Sequence, residues 1–190
     1  MSHFTQISAE IRDLEAVRAA VARCGGEIVE NAECRYYYGT QRKEVVIRLP
    51  GKYDAALEKQ ADGSYRLTAD WYGGHVAQYL GKNGGNLLQF YAAEKAKLEA
   101  HRRGFSVTER QEGEDILLTV RDPNGGALKV WCQPGGRTIC QPDGIRGESC
   151  MKFYDLETAL GAVFEHQKTG DFYVEDDPGK VLVKGRYLCG

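Results

Sequence analysis

The stretch MSHFTQISAEIRDLEAVRAAVARCGG, residues 1–26, decides the reading of this chain. From Phe4 the residues alternate, with Ile7, Ala9 and Ile11 falling on one face, which is the period of a half-buried strand. Asp13 then stands where a helix needs a side-chain acceptor for its unpaired first amides. Beyond it, Leu14, Val17, Val21 and Cys24 recur at helical spacing. They form a core stripe that makes Cys24 a packed thiol rather than a reactive one. Gly25-Gly26 supplies the stop, since glycine accepts the left-handed conformation that closes a helix. A strand followed at once by a capped amphipathic helix places the chain outside the all-β and all-α classes. His3 precedes the strand, either as part of an anchored strand start or as a working residue, and the anchoring role is favoured.

Working outward, EIVENAECRYYY and KEVVIRL predict two strands separated by Gly39-Thr40-Gln41-Arg42. YDAALEKQ and SYRLTADWY predict a hairpin around Ala61-Asp62-Gly63. The glycine-rich 73–86 segment reads as a loop or lid, with Asn86 as the cap of a second helix that ends at Gly104. FSVTERQ and DILLTVRD predict a hairpin around Glu112-Gly113-Glu114. Asp122-Pro123-Asn124-Gly125-Gly126 is the strongest break in the chain and marks the expected module boundary. After it come ALKVWCQ, a Pro-Gly-Gly turn, RTICQ, a helix striped by Phe153, Leu156, Leu160 and Val163, and a last strand in KVLVKGRYL. The fold class expected is α+β: two modules, 1–123 and 124–190, each a mostly antiparallel sheet with helices on one face. Their orders are β-α-β-β-β-β-α-β-β and β-β-α-β.

Composition narrows the function classes. Of 190 residues, 42% are hydrophobic and 27% charged, and the formal net charge is −2, so no global positive field draws nucleic acid or an anionic membrane. No apolar run reaches the roughly 18 residues of a bilayer span, and no basic-then-apolar leader opens the chain. Reduced cysteines in a cytoplasmic setting are the expectation. Cys24, Cys34, Cys132, Cys140, Cys150 and Cys189 include no C-x-x-C pair, and the four histidines stand apart from them, so no metal is expected. No nucleotide motif, triad or cofactor fingerprint is present, and no cofactor is expected.

The most chemical-looking stretch is Gly144-Ile145-Arg146-Gly147-Glu148-Ser149-Cys150. Gly144 and Gly147 loosen the backbone just before a helix, and Ser149 is placed to cap it. Free amides at that end favour an anion and would lower the pKa of Cys150. The plainer reading is a capped helix with a small buried cysteine. Cys132 and Cys140 flank a hairpin tip: a three-residue loop would set them opposite each other, within reach of a regulatory disulfide, and a two-residue loop would put them on opposite faces. Tyr36-Tyr37-Tyr38 and Trp71-Tyr72 point to both faces of their strands, with Arg35, Arg42 and Lys43 nearby. An aromatic sheet core plus a protein-binding patch is preferred there over base stacking. The carboxylate runs Glu114-Asp115 and Glu175-Asp176-Asp177 read as solvated turns.

The opening Met1-Ser2-His3-Phe4-Thr5, with Ile7, Ile11 and Asp13-Leu14, resembles the hypothetical chloroplast reading frame 35 family, or domain of unknown function 1257. Val46-Ile47, Tyr53-Asp54, Tyr65, Asp70, Gln89, Tyr91-Ala92 and Gly104-Phe105 extend the resemblance over residues 1–122; the 73–86 segment departs from it. Asp143-Gly144, Gly147-Glu148-Ser149-Cys150, Leu156-Glu157, Leu160-Gly161, Thr169 and Phe172-Tyr173 resemble a second family, domain of unknown function 2997, over residues 126–175. The resemblance implies two neighbouring proteins fused into one unit that works beside an AAA-type ATPase. It transfers no activity. The expectation is a non-enzymatic adaptor or accessory protein with a protein partner. The alternative is a small-anion-binding protein or enzyme using Gly144, Gly147, Ser149, Cys150 and His3.

Overall fold

The computed structural model describes residues 4–145, 147–161 and 181–183, with the side chains of 4–9 and 181–183 left aside. The described residues form ten strands and four helices, in the expected order but for the added α2: β1 (Phe4–Ile11), α1 (Leu14–Arg23), β2 (Glu27–Tyr36), β3 (Gly39–Arg48), β4 (Ala55–Lys59), β5 (Tyr65–Asp70), α2 (Ala77–Leu80), α3 (Gly85–Arg102), β6 (Ser106–Glu112), β7 (Asp115–Arg121), β8 (Ala127–Cys132), β9 (Thr138–Asp143), α4 (Ser149–Ala159) and β10 (Val181–Val183). They build two five-stranded sheets, ordered β1-β5-β4-β3-β2 and β10-β9-β8-β7-β6. All pairings are antiparallel except β9 with β10. The class is α+β in two modules.

The compact units are residues 1–91 and 92–190. The Asp122–Gly126 break lies inside the second of them. It is the tight turn of the β7–β8 hairpin, closed by the Asp122 amide on the Gly126 carbonyl at 3.3 Å and the Gly125 amide on Asp122 at 3.0 Å. Asp-Pro-Asn-Gly-Gly carries the residues that tight turns require, and those same residues also punctuate linkers, so sequence alone read the turn as a boundary.

In the first unit the Asp13 carboxylate accepts from the amides of Glu15 and Ala16 at 2.9 and 3.1 Å, the expected cap of α1. The Tyr91 hydroxyl accepts from the Arg12 and Asp13 amides at 3.0 and 3.2 Å, fixing the strand-to-helix corner. Ala16, Val17, Ala20, Val21 and Cys24 form the buried face of α1, and burial pushes the Cys24 thiol up to about 11. Gly25 closes the helix at φ 77°, and Gly26 is needed for close approach: a Cβ there would lie 2.8 Å from the Arg48 carbonyl oxygen. The sheet core is read across the register Val45↔Leu57↔Leu67.

Three local expectations are corrected. The β2–β3 turn is Tyr37-Tyr38, with Tyr36 opposite Gly39 and Gly39 at φ 115°, rather than Gly39–Arg42. The 73–86 segment is a chain of short helical turns, with α2 between 3-10 turns at Tyr72–Gly74 and Lys82–Gly84. Asn86 lies inside α3, packed against Gly81, where a Cβ would meet Asn86 atoms at 2.7 Å.

In the second unit, one face of the sheet is apolar and buried: Leu118, Val120, Leu128, Val130, Cys132 and Cys140. Phe105 and Phe153 stack at 4.5 Å, and Ala93, Ala96 and Ala100 of α3 are buried. In the β8–β9 hairpin Gln133 pairs with Arg137 around Pro134-Gly135-Gly136, so Cys132 faces Thr138 and Cys140 faces Val130. The loop has three residues, but its centre is Gly135, which leaves the two thiols on a diagonal. Both are outside any disulfide and fully buried.

Candidate interaction surface

Four tyrosines from three separate stretches of the first unit meet at its surface. The two-residue turn lifts Tyr37 and Tyr38 out of the sheet while Tyr36, one step earlier, stays buried beside Cys34, Val46 and Ala56. Tyr72 follows β5 and Tyr53 precedes β4. Tyr37 is the hub, with ring centroids 4.7 Å from Tyr38, 5.1 Å from Tyr72 and 6.4 Å from Tyr53, all inclined in edge-on contact. His75 extends the cluster at 4.9 Å from Tyr53. Tyr37, Tyr38 and Tyr72 are 47%, 79% and 39% exposed, three of the five large exposed hydrophobic side chains among the described residues.

The scaffold under these rings is polar and buried. Asp70, at the end of β5, accepts from the Tyr37 amide at 3.2 Å and the Tyr72 amide at 3.0 Å, so one carboxylate holds both backbones. Burial first, then the Asp70 charge with Tyr37 and Tyr72, push the Tyr53 phenol above its ordinary value. Asp54, next to Tyr53, is fully buried and accepts from Arg35 Nη2 at 2.6 Å, Arg35 Nε at 2.8 Å, Arg48 Nη1 at 2.9 Å and the Leu49 amide at 3.1 Å. Burial opposes its charge, but these donors hold its carboxyl below the usual range. Gly51 lets this loop lie against α2, since a Cβ there would be 2.9 Å from the Tyr79 ring. Gly73 and Gly74, both at positive φ, turn the chain from Tyr72 to His75. The glycine-rich segment therefore shapes one border of the cluster. Its tie to the tyrosines was not legible in the sequence because three distant stretches, 37–38, 53 and 72–75, contribute to the cluster.

The turn singled out from the sequence has a different character. Gly144 and Gly147 take positive φ with open space around them. The residue before α4 is Glu148, without a side-chain cap, and Ser149 is the first helical residue, 4% exposed, rather than the cap. The side chain of Asp122 is fully buried beside this helix start, with Lys152 Nζ at 3.8 Å. Burial opposes its charge, but the Asn124 amide, the Ser149 hydroxyl and Lys152 hold its carboxyl below the ordinary range. The positive end of α4 thus already faces a carboxylate of the protein itself. Cys150 is 2% exposed and engaged in a disulfide, which corrects both the expectation of reduced cysteines and the candidate reactive thiol at this position. His3, Arg146, Val163, Glu175-Asp176-Asp177, Thr169 and Phe172-Tyr173 lie outside the described residues. Among the described residues no group of three or more His, Cys, Asp or Glu is placed to hold a metal ion, and no helix is long and apolar enough to cross a membrane.

The family model described as "Protein of unknown function (DUF1257)" matches residues 20–120. That span runs from within α1 to the end of β7 and contains every member of the tyrosine cluster. No curated protein matches the chain.

Proposed function

We propose, from the premise that this chain belongs to the DUF1257 family, that it is a non-enzymatic adaptor or accessory protein that engages a protein partner through the tyrosine cluster centred on Tyr37. The observation that carries this reading is the exposure of Tyr37, Tyr38 and Tyr72 in mutual ring contact on a hydrogen-bonded scaffold. Tyrosine offers a large contact area at low entropic cost, with a hydroxyl to satisfy at the rim, and such anchors dominate interface energetics. Nearby cations support a protein partner over nucleic acid: Arg35 is committed to Asp54, and Lys43 to Glu58 at 2.7 Å.

The partner proposed is an AAA-type ATPase, in a cytoplasmic setting, by the chain's resemblance to the cyanobacterial and plastid reading frame 35 proteins. A second module akin to domain of unknown function 2997 occupies residues 126–175 in this reading. The alternative anion site at Gly144–Cys150 has less support, because Asp122 stands at that helix start and Cys150 is not a free thiol.

The test captures partners with tagged chain, identifies them by mass spectrometry, and measures binary affinity of the purified partner for wild type and for Tyr37→Ser/Tyr38→Ser. Loss of two central aromatic anchors is expected to weaken binding roughly thirtyfold or more. An unchanged affinity in a folded double variant would sink the reading.

A further inference from the structure

One face of the second sheet meets α3 through Lys97 on Glu109 and α4 through Glu157 near Cys140, and among the described residues no helix pairs with the other face. Register sets what the open face carries. Thr108, Thr119 and Lys129 stand in one cross-strand row, and Arg121, Ala127 and Asp143 in the next. Arg110 and Leu117 make a third row on the same face. Ala127 is small and Leu117 is buried, so the long side chains around them wall a depression of about 420 Å³. That volume lies within the range that small-ligand sites occupy, in a depression open to solvent on one side.

The charges around this depression are unevenly matched. Glu109 also lines the depression, but its place in the register puts its side chain on the other face of the strand, where Lys97 holds its carboxylate at 2.9 Å. Arg110 is held by Glu112 at 2.8 Å, and Glu112 also accepts from Trp131 Nε1 at 2.6 Å. Lys129 Nζ lies 3.8 Å from Asp143, beyond hydrogen-bond distance, and its charge also reaches Glu112, itself held by Arg110 and Trp131. Arg121 makes no ion pair or side-chain hydrogen bond with the described residues. A guanidinium without a carboxylate, an ammonium loosely held and two hydroxyls therefore converge on one concavity with an apolar floor. A planar guanidinium fork with flanking hydroxyls matches the oxygens of a phosphate group.

We propose that this depression on the open face of the second sheet binds a phosphate-bearing small molecule, with Arg121 and Lys129 as its charge partners and Thr108 and Thr119 as hydroxyl donors. The site is independent of the tyrosine cluster and of the partner reading. Asp143 works as a competitor: it stands 3.8 Å from Lys129 and yields it to a more highly charged oxyanion.

The full chain is titrated with inorganic pyrophosphate by isothermal calorimetry at fixed ionic strength, with chloride as the balancing anion. Saturable binding to one site is expected. Arg121→Gln and Lys129→Gln, both at the open surface, should each weaken it roughly tenfold, the loss of one charge-assisted hydrogen bond. Arg42→Gln, an exposed cation of the first unit, should leave it unchanged. Native circular dichroism of each variant confirms the fold. Absence of saturable binding overturns the proposal, as does an equal loss in Arg42→Gln, which would mean a general charge effect. Binding only to phosphatidylcholine vesicles containing phosphatidic acid, and not to pyrophosphate, overturns it in favour of a lipid surface.

Discussion

Asp54 shows how one residue secures the surface that the protein presents. Its two oxygens gather two guanidiniums and two backbone amides from β2, the end of β3 and the loop before β4. The folded carboxyl titrates below its ordinary value, so its contribution to stability is complete above the unfolded pKa of about 3.9 and is lost as pH falls through that value toward the folded one. Denaturant titrations from pH 7 to pH 2 should show this loss in wild type, and Asp54→Asn should flatten that part of the profile. Asp54→Ala is expected to cost about 3 kcal/mol at pH 7, because removing a buried ionic partner strands its donors. An Asp54→Asn profile as steep as wild type would remove Asp54 from this role. Residue-level facts of this kind were only partly legible. Asp13 and Cys24 could be assigned because cap and stripe are local patterns. Asp54 was not, because its partners come from residues 35, 48 and 49, and sequence adjacency to Tyr53 says nothing of them. A thiol reagent should label Cys24 and Cys34 only on unfolding, since burial pushes both thiols up to about 11.

At the scale of elements, the β2–β3 hairpin decides whether the tyrosines are core or surface. Strand propensity assigns Tyr36, Tyr37 and Tyr38 alike to a strand. The structure separates them at the turn, and Gly39 is the residue that makes the turn there: φ 115° is open to glycine and strained for any other residue. No side chain crowds Gly39, so the effect of a substitution is conformational. Gly39→Val should destabilise the chain by about 1–2 kcal/mol and weaken partner binding, because it moves Tyr37 and Tyr38 together. Denaturant unfolding and binary affinity read the two effects separately, and a neutral Gly39→Val would show that the tip tolerates another turn. The glycine-rich 73–86 segment teaches the same lesson from the other side. Its glycines signalled irregular backbone, and several of them do take positive φ, but between them the chain forms short helical turns that sequence composition does not distinguish from a loop.

At the scale of the whole molecule, element order was readable and sheet membership was not. Hydrophobic period and turn residues are local, so they placed nearly every strand and helix. Which hairpin joins which sheet depends on pairing between residues far apart, and the Asp122–Gly126 punctuation looked like a seam although β7 and β8 pair across it over six register positions, from Ile116↔Cys132 to Arg121↔Ala127. A chain ending at residue 123 tests that pairing. It would keep β6 and β7 but strip β8 from β7, and with it the facing Leu128 and Val130. A two-stranded hairpin without a third strand or a covering core is marginal in water, and the apolar side chains of Ile116, Leu118 and Val120 would lose their cover. The amides of residues 117–121 should therefore be strongly protected from hydrogen exchange in the full chain and exchange rapidly in the 1–123 fragment. The amides of Val45–Ile47 and Ala55–Leu57, in the sheet of the first unit, should keep their protection in both. Retained protection of 117–121 in the fragment would mean that residues 1–123 fold as one module, and that the break at 122–126 is a seam after all.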